Sequence, residues 1–243
     1  MNEIICLVRR DLHLLKNTSL KRAALYVASV LLPDIFLLLT GSEGLFRRSI
    51  YGVTAEFFRQ EPGLFPYQWL WLQLGAVMTA FDFVREDLYL HSSNVIVKLS
   101  HRSSYWISKL ISGAVYCLTA AAFCVAEKTA MLRFFTAGGY CDSGTGEVDV
   151  VRFASALFVC IYLMFCMYSL FSLILPDIVS FLIVISGLCA GLPSGSGIFL
   201  INHVMLCRND VTGGLLCIAV IYAVCLLAGS LLLKWKDIIT FER

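Results

Sequence analysis

The chain has 243 residues, a hydrophobic share of 59% and a mean hydropathy of +0.80, against the roughly 45–50% apolar content typical of a soluble domain. Asp, Glu, Lys and Arg make up only 15% of it and the net charge is +2, which gives no reason to expect nucleic acid as a partner. The length suits one compact membrane domain and leaves no room for a second catalytic domain of ordinary size.

In chain order, residues 1–20 carry charges throughout and lack the apolar core and cleavage site of a secretory signal peptide. Ile4, Val8, Leu12 and Leu15 recur at helical spacing, with Glu3, Arg10, His13 and Asn17 on another face. That pattern predicts an amphipathic helix lying along a lipid surface. Residues 21–243 then form the transmembrane domain. A hydrocarbon core of about 30 Å needs about 20 apolar helical residues, and six stretches qualify: 23–40, 65–84, 106–126, 153–175, 178–201 and 214–233. The expected fold class is therefore an all-α membrane protein of six transmembrane helices. Leu175-Pro176-Asp177 separates the fourth and fifth stretches; proline stops the incoming helix and Asp177 is placed to cap the next. The fifth stretch is interrupted by a glycine-rich run from Gly191 to Gly197.

Lys/Arg placement sets orientation. With the N-terminus inside, the inner side holds twelve: Arg9, Arg10, Lys16, Lys21, Arg22, Arg85, Lys98, Arg102, Lys109, Lys234, Lys236 and Arg243. The outer side holds seven: Arg47, Arg48, Arg59, Lys128, Arg133, Arg152 and Arg208. Both termini are expected to be cytoplasmic.

Two carboxylates fall within predicted spans. Asp82 has Arg85 one turn on, which points to a local ion pair. Asp34 follows Pro33 in the first span; an ionised group there costs about 2.5–3.5 kcal/mol on insertion scales, so it should face protein, a partner or a wet cavity. Ser194, Ser196 and His203 invite an intramembrane protease reading, but the histidine is on the same segment as the serines and the pattern is GxxSG. A helix break is the better account. The four histidines have no metal spacing, and the ten cysteines include no CxxC pair; most sit in apolar runs as small packing residues, while Cys141 and Cys207 fall in external segments where a bridge is open. No Walker A pattern occurs, so any ATP-driven work belongs to a partner and the chain itself is expected to be no enzyme.

The inner loop between spans two and three is the most informative stretch. It has a charged start (Arg85, Glu86, Asp87), an apolar row (Val95, Ile96, Val97, Leu99), a turn (Ser100, His101, Arg102), and Lys109 re-entering the membrane. Apolar residues on a wet loop imply something that covers them. Here the chain resembles the ABC-2-type permeases, the membrane subunits of ATP-binding-cassette exporters. Arg85-Glu86, Val95 to Leu99, Ser100-His101-Arg102 and Lys109 look like that family's loop elements, and Lys234-Trp235-Lys236-Asp237-Ile238 is similar to its basic ending. Leu99 stands where the family has proline.

The resemblance implies a dimer with a second permease, identical or related, and two ATPase subunits carrying ATP and Mg. Residues 87–102 would form the coupling helix, and the substrate class would be a peptide or antibiotic exported from, or cleared by, a bacterial cell. Two other classes compete with this reading: an ion-coupled secondary transporter, and a membrane scaffold or sensor without transport.

Overall fold

The computed structural model describes residues 2–61, 66–81, 83–90, 102–137, 150–193, 205, 207–208 and 211–235. Among them every regular element is an α-helix: α1 Asn2–Leu39, α2 Glu43–Tyr51, α3 Ala55–Gln60, α4 Tyr67–Thr79, α5 Phe83–Leu90, α6 Arg102–Ala137, α7 Val150–Ser172, α8 Asp177–Ala190 and α9 Val211–Trp235. Among the described residues three segments, Ser19–Leu39, Arg102–Phe135 and Val150–Ser172, are long and apolar enough to cross a bilayer.

The surface helix and the first span expected on either side of residue 20 form one continuous helix, α1, of 38 residues. Before Pro33 no proline or glycine interrupts it, and Pro33 lies within the helix rather than ending it. Its buried face reads Leu7, Asp11, Leu15, Ser19, then Tyr26, Val30, Asp34 and Leu37, steps of three, four or seven that keep one stripe against the core. That stripe differs from the Ile4, Val8, Leu12 face: those three are only half-buried, and the inward stripe carries two aspartates.

α1 packs along α6 and α4, and α6 packs in turn on α7 and α9. Asp11 meets Ser108 and Lys109, Tyr26 meets Cys124, and Asp34 meets Lys128, so α1 and α6 run in the same direction. α4 runs against α6, since Thr79 meets Tyr116 while Phe83, just beyond α4, meets Lys109. Glycines let these helices close up. A Cβ on Gly75 would sit 2.6 Å from the Tyr26 ring, and one on Gly113 or Gly229 would overlap Phe165 or Trp106.

α4 has 13 residues and stops at Thr79, and α5 begins four residues later, so the 65–84 stretch is not a single straight span. α8 ends at Ala190 with Gly191 as its C-cap, which is where the glycine-rich run begins. Ser194, Ser196 and His203 lie outside the described residues, as does Cys141. Asp177 is not the cap of α8: Pro176 holds that position with no side-chain cap bond. The Asp177 carboxylate is buried, accepts from the Tyr168 hydroxyl at 3.0 Å and faces Arg85 at 3.8 Å.

At the end opposite the chain start, short segments are tied by arginine donors. Arg208 donates to the carbonyls of Val53 and Leu192 at 2.6 and 2.9 Å, and Arg59 to that of Pro193 at 2.8 Å. Gly52, at φ +79°, ends α2 in a conformation that L side chains rarely adopt.

Candidate functional site: two buried charge clusters

The first cluster sits where the segment between α5 and α6 joins the bundle. Asp11 comes from α1, Asp87 from α5, and Tyr105, Ser108 and Lys109 from the first turns of α6. Lys109 is 0% exposed, with Nζ 3.1 Å from Asp11 Oδ1, 2.7 Å from Asp87 Oδ2 and 4.0 Å above the centre of the Phe83 ring. Arg10 Nη2 bridges the same two carboxylates at 2.7 Å each. The Tyr105 hydroxyl donates to Asp87 Oδ2 at 2.7 Å and that of Ser108 to Asp11 Oδ2 at 3.1 Å.

Among the described residues two cations thus face two anions, so their charges balance. Burial pushes the Asp87 carboxyl up, but Lys109, the Tyr105 hydroxyl and Arg10 outweigh it and hold the group below the ordinary carboxylate range. Burial alone would lower the Arg10 guanidinium; Asp11 and Asp87 hold it above its usual value instead.

The second cluster lies toward the other end of the same two helices. Asp34 of α1, 1% exposed, pairs with Lys128 of α6, 2% exposed. Glu127 is 6% exposed, with a carboxylate oxygen 4.0 Å from Lys128 Nζ. The Phe46 ring of α2 closes over Lys128 at 5.1 Å. A cavity of about 300 Å3, lined by Ser29, Asp34, Tyr67, Gln68, Trp71 and Lys128 among others, opens beside the pair.

Comparison with protein-family models, curated proteins and solved structures finds no match to this chain. Chemistry inferred for it therefore rests on these side chains.

The structure distributes the sequence-derived candidates unevenly. Asp87 is buried in the first cluster, so it anchors the loop from inside the bundle. Arg102 is exposed at the start of α6. Asp82, Val95, Ile96, Val97 and Leu99 lie outside the described residues, as does the side chain of Glu86. The Asp82–Arg85 pair falls there too, and Arg85 reaches toward Asp177.

Lys128 is a correction. The Lys/Arg placement puts it among the outer-side charges, but α6 continues through it to Ala137 and buries it. Lys109 is likewise no solvated charge; removing one lysine from each side leaves the Lys/Arg asymmetry in place. Sequence reasoning also passed over Asp11 and Glu127, and gave Arg10 only a place on the polar face of the N-terminal helix and among the inner-side charges. Only Asp11 had a signal: it lies four residues from both Leu7 and Leu15, on what proves to be the buried stripe.

Proposed function

We propose that this chain is the membrane permease subunit of an ATP-driven exporter of the ABC-2 type. On this reading it is a multi-pass protein of a bacterial plasma membrane with both termini cytoplasmic, and it pairs with a second permease and with separate ATPase subunits. The observation that carries the proposal is how the 91–101 segment is rooted. It emerges from α5 and returns as α6, and at that junction Asp87, Tyr105 and Lys109 are fastened to Arg10 and Asp11 of α1. A push delivered to this segment by an ATPase would reach the two longest helices through charge-assisted bonds rather than through a slack loop.

The spacing of the clusters supports a membrane-crossing bundle. Lys109 and Lys128 are nineteen residues apart on one helix, about 28 Å at 1.5 Å per residue and close to the roughly 30 Å of a hydrocarbon core.

The deciding experiment replaces Ile96 and Leu99 with aspartate and measures recovery of the ATPase with the solubilised chain. Burying an unpaired charge against a partner costs several kcal/mol, so recovery should fall by about tenfold or more, with insertion unchanged and ATP turnover uncoupled. Equal recovery at equal turnover would remove the coupling assignment.

Orientation is checked separately by thiol labelling of intact cells. A variant retaining only Cys141 should react with an impermeant reagent, and one whose only cysteine replaces Ser92 should not. The reverse pattern would invert the topology.

Ion-coupled secondary transport is the second reading, and the observation favouring it is the buried Asp34–Glu127–Lys128 cluster. Co-purification of an ATPase separates the two.

A further inference from the structure

The second cluster has an imbalance that the first does not. Asp34 and Glu127 supply two carboxyl groups, and Lys128 supplies one cation. Both carboxyls lie against the same Lys128 ammonium group, yet as carboxylates neither can donate a hydrogen bond to the other. Among the described residues no hydrogen-bond donor reaches Asp34 Oδ1 or either oxygen of Glu127, although all three atoms are buried. Leaving a carboxylate buried with no donor is among the more costly arrangements a protein can make. A single proton between the two carboxyls changes this: it supplies the missing donor and brings the cluster to neutrality with Lys128.

We propose that Asp34 and Glu127 form a binding site for one exchangeable proton, held between their carboxyl groups beside Lys128 and reached through the adjoining cavity.

The surroundings fit a proton better than a larger cation. Lys128 Nζ already fills the position nearest both carboxyls. Among the described residues no group of three or more metal-ligating side chains occurs. Among the described residues, titratable groups facing the cluster include Tyr26 of α1 and Cys124 of α6, which interact with Glu127, and Tyr67 of α4, which lines the cavity. α2 presents the Phe46 ring. Ser29, Gln68 and Tyr67 are among the residues lining this mainly apolar cavity, which also borders Asp34 and so gives water a route to its carboxyl. The site stands whether ATP or an ion gradient drives the protein.

The test uses the full chain, purified and reconstituted in lipid, with infrared difference spectroscopy of the protonated-carboxyl stretch between neutral and alkaline pH. The parent should show this band at neutral pH, shifted in D2O and lost on raising the pH. Glu127→Gln and Asp34→Asn should each abolish it, because the remaining carboxylate then pairs with Lys128 alone. Both variants should elute as monodisperse protein; if either fails to fold, the parent's own band still decides. Absence of the band in the parent at neutral pH would overturn the site, as would its persistence in both variants. Thermal stabilisation of the parent by sodium ions, absent in Glu127→Gln and without a protonated band, would assign the site to a metal cation and also overturn the proposal.

Discussion

Lys109→Met is expected to lower the stability of the protein by about 3–5 kcal/mol, the cost of removing one partner from a buried ion pair. The substitution keeps the side chain's length and its packing on Phe83, but leaves Asp11 and Asp87 sharing Arg10 alone. Combining Lys109→Met with Asp87→Asn should recover much of the loss, because Arg10 and Asp11 then form a balanced pair. Thermal unfolding of the solubilised single and double variants reads this directly. A single variant as stable as the parent would show that the network is not what holds α1, α5 and α6 together.

The pH dependence follows from the direction of the Asp87 shift. A carboxyl held below its ordinary range contributes stability that is fully present above the unfolded value and lost only as pH falls through the lower folded one. The first cluster should therefore persist across neutral pH. Its role is structural anchoring, not sensing.

Gly113→Leu should be the second most damaging change. In an unconstrained helix, replacing glycine with a better helix former stabilises by about 1 kcal/mol. Here a Cβ would overlap the ring of Phe165, a fully buried side chain of α7. Overpacking of this kind costs typically 1–3 kcal/mol and occasionally more, so the sign should reverse and α6 and α7 should be forced apart. Gly113→Ala with Phe165→Leu should be tolerated far better than Gly113→Leu. The readout is the monodisperse fraction on gel filtration and its melting temperature. Full tolerance of the leucine would mean that the two helices do not approach as closely as Gly113 and Phe165 indicate.

Much of the helical layout is legible in the residues themselves. Apolar runs of the right length mark α7 and the membrane-length parts of α1 and α6. Pro176 and Gly191 mark the bounds of α8, because each acts within its own turn of backbone. Continuity of α1 was harder to read. Charge and periodicity change near residue 20, yet nothing there prevents the helix from continuing.

By itself the sequence determined that the chain is helical and apolar, where several helices stop, and that Asp34 needed company. Hydropathy, caps and breakers are local, and one window of residues contains all that they require. Only the tertiary structure decided which charges meet. Lys109 and Asp11 are 98 residues apart, Lys128 and Asp34 are 94 apart, and Arg10 and Asp87 are 77 apart. Whether a lysine sits in solvent or in a buried pair depends on which helix lies across from it, and no local window contains that helix. For the same reason Lys128 reads as a surface charge in sequence and as the centre of a buried cluster in the fold: burying it is tolerable only because α1 brings Asp34 to its ammonium group.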